Sequence, residues 1–387
     1  MAGGALIPYL ILFAALYAGF GVQSPYLPRL LQERGLTAEA IGTVLAAGTA
    51  IRLIAGPAAG RLADRLDAVR LVFACCIAIA AVASLGYIAA YGFWPLLAVA
   101  ILQAAMWAPL NPLADTLVLA AAGAASLRIG GRVLDYGWVR GTGSAAFIAG
   151  VVLAGQAVAQ LGLGSVIAAN VALFGFAALY APTVPALPPR QPVSTEAAQP
   201  GRSDLAVLFR ITAFRRVVLV AALIMGSHAL HDSFAMIRWD AAGIAPGAAG
   251  LLWAEAVAAE VVVFFLVGRR LLDRIGPGGA AMLAVGAGTL RWIVSAETAW
   301  LPALALIQPL HGITFALLHL ACMRRLAETV PPHLSATALA VYSTLGISAA
   351  TALLLLCSGW LYGAVGAQGF WAMAVLCAAA LPLARRL

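Results

Sequence analysis

The 387 residues predict an all-α membrane protein of twelve transmembrane helices in two pseudo-symmetric six-helix bundles. Three observations carry that prediction. The chain is 63% hydrophobic and only 10% charged, whereas an ordinary soluble domain is roughly a quarter charged. Its apolar residues fall into runs of about the 20 residues a helix needs to cross ~30 Å of hydrocarbon, and short arginine-bearing breaks separate the runs. The pattern also repeats. Gly60-Arg-Leu-Ala-Asp64-Arg65 follows the second run and Gly268-Arg-Arg-Leu-Leu-Asp273-Arg274 the eighth; Asp64 and Asp273 stand 209 positions apart, as do the starts of the first and seventh runs.

Taken in order, the expected spans are 7–28, 40–59, 70–90, 95–117, 137–158, 164–182, 216–238, 247–268, 277–295, 300–323, 337–359 and 367–384. The first run lacks a basic n-region and continues past any small-residue cleavage site, so it reads as a retained helix and not as a signal peptide. Residues 1–182 form the expected N-terminal bundle and 216–387 the C-terminal one. Between them, 183–215 is rich in Pro, Ser and Arg, cannot bury a core, and reads as a flexible cytoplasmic linker.

A net charge of +8 could suggest nucleic acid, but the chain has no lysine, and its 23 arginines stand singly or in pairs between apolar runs. The positive-inside rule accounts for them when both termini are cytoplasmic, in a membrane of the bacterial inner-membrane type. Only Arg29, Arg34 and Arg238 would then face outward, with Arg52 and Arg291 inside spans. Cys75, Cys76, Cys322, Cys357 and Cys377 all lie in apolar runs without metal-ligand spacing. No cofactor or metal is expected. Ser144, Asp115 and the five histidines raise an intramembrane enzyme as an alternative, but no Gly-x-Ser-x-Gly turn or His-Glu-x-x-His pair supports it. A channel has no carbonyl-filter repeat to support it.

Six plus six spans, a central linker and Gly60-x-x-x-Asp64-Arg65 after the second span together resemble the major facilitator superfamily. Within it the chain is similar, nearly end to end, to the branch containing lactose permease and the 3-phenylpropionate permeases. The resemblance rests on Ser24-Pro25-Tyr26-Leu27-Pro28-Arg29-Leu30-Leu31, on Tyr136-Gly137-Trp138-Val139-Arg140-Gly141-Thr142-Gly143-Ser144, and on Leu310-His311-Gly312-Ile313-Thr314-Phe315 followed by His319. It implies the major facilitator fold and a monomeric secondary active transporter, working by alternating access as a proton symporter of a small organic solute. A proton-independent uniporter or exporter is the alternative within the same class.

The polar residues inside the spans are few, and a charge at the bilayer centre costs about 2.5–3.5 kcal/mol even on the lenient insertion scale, so each needs a partner or a watery cavity. Arg52 shares a stripe with Gly48, Gly56 and Gly60 and reads as a structural cation on a small-residue seam. Asp115 ends the fourth span and Arg140 opens the fifth, with Phe147 two turns along the same face; an acid, a guanidinium and an aromatic plate in that order hold the solute in lactose permease, which implies substrate contact here. His231 and Asp232 on the seventh span line up with a Tyr-Asp pair whose acid meets a lysine, and with no lysine here Asp232 needs an arginine or a histidine, or a proton of its own. Trp253 and Glu260 share a face of the eighth span, and Glu260 to Phe264 matches the branch's Glu-x-x-x-Phe pattern. Arg291 and His311 match the branch in type and in their separation of twenty residues. The branch's coupling acid falls at Thr314, so a relay of Glu260, Arg291, His311 and His319 is the expected proton path. Gly60, Asp64 and Arg65 read as a structural clasp. Arg140 and Arg291 would suit an organic anion, and Asp115 with Phe147 and the tryptophans a sugar.

Overall fold

The computed structural model describes residues 7–123, 128–129, 132–133, 136–185 and 202–387, with the backbone alone for 120–123, 128–129, 132–133 and 202–204. Among these residues nine continuous helices are long and apolar enough to cross a membrane. Seven give one span each: α2 (Ala38–Arg65), α3 (Val69–Ala89), α4 (Phe93–Leu119), α5 (Tyr136–Leu161), α6 (Gly164–Thr183), α7 (Thr212–Ala241) and α10 (Leu301–Thr329). The other two, Pro246–Glu297 and Pro332–Ala384, run 52 and 53 residues. At 1.5 Å per residue each would reach ~78 Å, more than twice the hydrocarbon thickness, so each holds two spans. The first breaks at Gly276, whose φ of 68° is open to glycine and precedes Pro277, giving α8 (246–275) and α9 (277–297). The second breaks at Gly366, φ 58°, giving α11 (332–365) and α12 (367–384). α1 is the bent pair Ile7–Gln23 and Leu27–Glu33, folded by 42° at the Ser24-Pro25 step. The result is the expected twelve-helix membrane fold. Besides it, the described residues contain one short antiparallel pairing, β1 (Arg128–Ile129) with β2 (Arg132–Val133).

Two expectations change. Part of the segment read as a flexible linker is helical: Arg202–Arg210 forms nine residues of amphipathic helix that bury Leu208 and bring Phe209 edge-on to Phe214. Leu205 and Leu208 at i,i+3 give it an apolar edge to dock. Residues 212–215 begin α7, and 186–201 lie outside the described residues. The Gly60–Arg65 motif is not a loop either, because α2 stays helical through Arg65 and turns only at Asp67, φ 46°.

The backbone divides into two compact units. One gathers the described residues of Met1–Leu36, Ala50–Ser194 and Ala245–Leu251, and the other those of Thr37–Thr49, Thr195–Ile244 and Leu252–Leu387. In the first, α1 and α5 approach backbone to backbone. A Cβ on Gly21 would lie 2.2 Å from the Phe147 carbonyl oxygen, and one on Gly150 would lie 2.6 Å from that of Ala18. With no hydrophobic effect between helices in lipid, such close packing and buried hydrogen bonds hold the unit together. The hydrogen bonds form one network: Gln23 and Gln103 exchange amide bonds at 3.1 and 3.0 Å, Ser84 donates to Asn170 at 2.7 Å, and Asn170 donates to the Gly19 carbonyl at 2.9 Å. It ties α1, α3, α4 and α6.

In the second unit Trp292 of α9 is fully buried, stacked on Phe370 of α12. A Cβ on Gly312 of α10 would sit 2.6 Å from the Ala259 carbonyl of α8. Three π-helical stretches, Val263–Val267, Gly312–Leu317 and Tyr342–Ala349, widen α8, α10 and α11. Such turns insert a residue that redirects the side chains beside it and often mark functional positions. At the end of α8, Asp273 pairs with Arg324 of α10, which also donates to the Leu272 carbonyl at 3.3 Å. On the outside, Leu179 (83% exposed) and Leu306 (78%) have no protein cover, a surface that only lipid satisfies.

Candidate functional site

The polar groups inside the spans assemble into one cluster in each unit. In the first unit the Asp115 carboxylate lies 3.6 Å from the Arg140 guanidinium, so the acid and the arginine meet across the long connection between α4 and α5. Arg140 also donates to the Tyr17 hydroxyl of α1, and Tyr136 bonds to Asp115. Phe147, two turns along α5, lines a cavity of about 390 Å³ with Tyr17, Phe20, Ser24, Trp107 and Arg52. Aromatic edges form much of its wall: Phe20 meets Trp107 at 4.9 Å between ring centres and Tyr17 at 5.8 Å. α4 is interrupted here. Pro109 and Pro112 have no N–H to give the carbonyls of Ala105 and Ala108, and Ala108 and Asn111 complete the lining.

Arg52 is where the single-helix reading fails. Its glycine stripe is not a tight seam: a Cβ on Gly60 would meet nothing within 4 Å, and one on Gly56 would meet Ala108 at an ordinary 3.8 Å. Arg52 itself opens onto the cavity, exposed, with no carboxylate partner among the described residues.

The second unit centres on Arg291 of α9, 1% exposed. Its Nη2 donates to Gln308 Oε1 at 2.9 Å, its Nη1 to His311 Nδ1 at 3.1 Å, and its guanidinium lies 4.6 Å from the Trp292 ring centre. Arginine has only donors, so His311 Nδ1 accepts and the proton of the neutral ring sits on Nε2. That nitrogen faces Glu260 Oε2 of α8 at 3.4 Å. Glu260, His311 and Arg291 are thus brought together in one line. His319, two turns on from His311, has Nδ1 3.2 Å from the Tyr342 hydroxyl and its ring 6.1 Å from Phe264, within electrostatic reach of Glu260. It stands beside the line and not in it.

His231 and Asp232 belong to the same cluster, Asp232 lying within electrostatic reach of His228, His311 and Arg291. Asp232 finds a histidine and not an arginine: His231 Nδ1 lies 3.5 Å from Oδ1, with the aspartate half exposed and the histidine buried. The His231 ring is 5.2 Å from Trp253 and 5.8 Å from Trp292, and its Nε2 is buried without a partner. Of the motif residues, Gly60 packs on nothing, Arg65 is exposed in the last turn of α2, and Asp64 lies one turn before Asp67.

Several contacts and participants escaped the sequence reading, which places His228 on one face of the seventh span with Asp232 but gives it no partner. His228 places Nδ1 at 3.1 and 3.0 Å from the Ile224 and Met225 carbonyls and Nε2 at 3.0 Å from the Thr314 hydroxyl, so the position that lacks the branch's acid is instead filled by a threonine–histidine pair. Gln308 could have been found three residues before His311 on the same helical face, and Tyr17 one turn from Phe13 and Phe20. Among the described residues no three of His, Cys, Asp and Glu gather to hold a metal ion.

Twelve apolar helices in two units, with unlike polar clusters inside them, define a multi-pass membrane transporter fold. The profile of the MFS_1 like family matches residues 6–373, and the chain belongs to that family. It is 32% identical over 372 residues to the probable 3-phenylpropionic acid transporter of Escherichia coli (strain K12), covering 93% of this chain and 92% of that protein. It is 25% identical over 343 residues to the maltose permease of Geobacillus stearothermophilus, covering 88% and 82%. Among solved structures, the nucleoside transporter NupG shares the fold at TM-score 0.84 and 17% identity, covering 98% of this chain and 97% of that one. A bacterial homologue of the human lysosomal transporter Spinster, inward-facing and unoccupied, follows at TM-score 0.72 and 16% identity, covering 99% and 96%. The chain is a transporter of a small molecule and not an enzyme.

Proposed function

We propose that this transporter is a proton-coupled symporter of an aromatic organic acid, working by alternating access in a bacterial inner membrane with both termini cytoplasmic. The observation that carries the coupling is the line Arg291–His311–Glu260. His311 cannot take a proton on Nδ1 while that nitrogen accepts from Arg291, because an imidazolium would then face a guanidinium at 3.1 Å. A proton arriving in this line is therefore seated on Glu260, which is 26% exposed and can be reached by water. Protonating Glu260 removes a negative charge that His311 links to Arg291, so proton occupancy and the charge balance of the unit change together. The choice of an aromatic acid is supported by the 32% identity to a protein named as a probable 3-phenylpropionic acid transporter, and by the aromatic cavity in the first unit.

The test is uptake of labelled 3-phenylpropionate by proteoliposomes with and without an inward proton gradient, with protein-free liposomes reporting passive entry of the protonated acid. Gradient-driven uptake above that background is expected. Saturable uptake that ignores the gradient would leave the alternative, a proton-independent uniporter or exporter, which Thr314 at the position of the branch's coupling acid favours.

A further inference from the structure

The geometry points to Arg52 as the residue that binds the carboxylate of the transported acid, with the ring of the acid held against Phe20, Trp107 and Phe147 in the same cavity. This rests on the aromatic-acid reading above and names the contact that reading leaves open.

A guanidinium within a membrane span needs compensation, and three others have it. Arg140 faces Asp115 and Tyr17, Arg291 holds Gln308 and His311, and Arg238 donates to the Thr298 carbonyl at 2.8 Å. Arg52 opens onto a water-accessible cavity and faces no carboxylate among the described residues. It carries a fork of donors suited to two oxygens of one carboxylate, and an anion entering the cavity would find no competing acid on the lining.

The rest of the lining describes the remainder of the ligand. Three aromatic side chains, Phe20, Trp107 and Phe147, supply a slot for a flat apolar body. Ser24 and Asn111 are the uncharged side-chain donors that could supplement Arg52, and the Trp107 indole N–H, buried beside the cavity, has no partner. A dicarboxylate would bring a second charge that no lining cation meets. The cavity of about 390 Å³ is of the size that takes small organic ligands, for which ~300–1,000 Å³ is usual. The class that fits is an aryl monocarboxylate.

The test is calorimetric titration of the purified full-length chain and its variants with 3-phenylpropionate and with the neutral isostere 3-phenylpropanamide. Arg52→Ala is expected to weaken the acid by about tenfold to a hundredfold, the range of a lost charge-assisted contact, and to leave the amide within about threefold. Arg52→Lys should recover part of the acid affinity, since it restores the charge but not the fork. Wild-type affinity for the acid in Arg52→Ala would overturn the assignment while leaving the aromatic-acid reading intact. Wild-type protein that bound no aryl acid would overturn the reading and the assignment together. Equal loss of acid and amide in both variants would mark Arg52 as a folding residue and also overturn the assignment.

Discussion

Replacing Glu260 by Gln isolates the proton step, because the amide keeps the shape and the acceptor while losing the ability to carry a proton. In the structure Glu260 Oε2 faces His311 Nε2 at 3.4 Å, and the amide carbonyl oxygen that Glu260→Gln puts in the same place still accepts that N–H. The exchange replaces a hydrogen bond to a charged group, about 1.5–3 kcal/mol, by a neutral one of about 0.5–1.5, so folding stability should fall by about 1 kcal/mol. Transport should change far more. One proton moved per solute couples the solute gradient to the pH gradient at about 1.36 kcal/mol, or tenfold accumulation, per pH unit. Passive entry of the protonated acid tends to the same ratio, so the transporter is read from the rate: wild-type proteoliposomes should approach about tenfold accumulation per unit of imposed gradient faster than protein-free liposomes. Glu260→Gln should approach that ratio no faster than protein-free liposomes while still exchanging labelled for unlabelled solute faster than they do. Gradient-driven accumulation in Glu260→Gln equal to wild type would refute the seat assigned to the proton.

Other expectations test the packing. Gly312→Ala places a Cβ 2.6 Å from the Ala259 carbonyl and should cost about 1–3 kcal/mol of stability, whereas Gly60→Ala, with nothing within 4 Å, should leave thermal melting unchanged. Gln103→Leu strips the reciprocal amide pair from Gln23 and the acceptor from Tyr87, and should lower the melting temperature through a loss of about 1–3 kcal/mol; an unchanged melt would count against the network as a structural tie. Tyr17→Phe removes the hydroxyl that Arg140 reaches but keeps the ring, and should alter transport rate with little change in melting temperature.

The membrane spans were legible because their signal is local: a helix in lipid must satisfy its own backbone and present apolar side chains for about 20 residues, and neither demand depends on a neighbour. The pairing of Arg291 with His311 could be anticipated from residue type and separation. The place of Arg52 could not. A helical wheel puts it with Gly48, Gly56 and Gly60, and small residues in a stripe fit a tight helix contact or a cavity wall equally well. What decides it is that Trp107, Ala108 and Asn111 of α4 share a cavity with Arg52, tertiary neighbours invisible from α2. His228 was hidden for a similar reason, since its partner Thr314 lies on α10 and meets it only once the helices pack. The helix at Arg202–Arg210 was concealed by composition, because Pro and Ser in the preceding residues dominate any average over the whole linker.

The glycine contacts between α1 and α5 bear on how any solute is gripped. Where Gly21 meets the Phe147 carbonyl and Gly150 meets that of Ala18, no side chain stands between the two backbones. No rotamer change can absorb a displacement there, so the stretch of chain that carries Phe20 and the one that carries Phe147 behave as a weld. The aromatic slot between them has a fixed width. For the aromatic solute proposed above, selectivity by thickness would then be set by two glycines that never touch it.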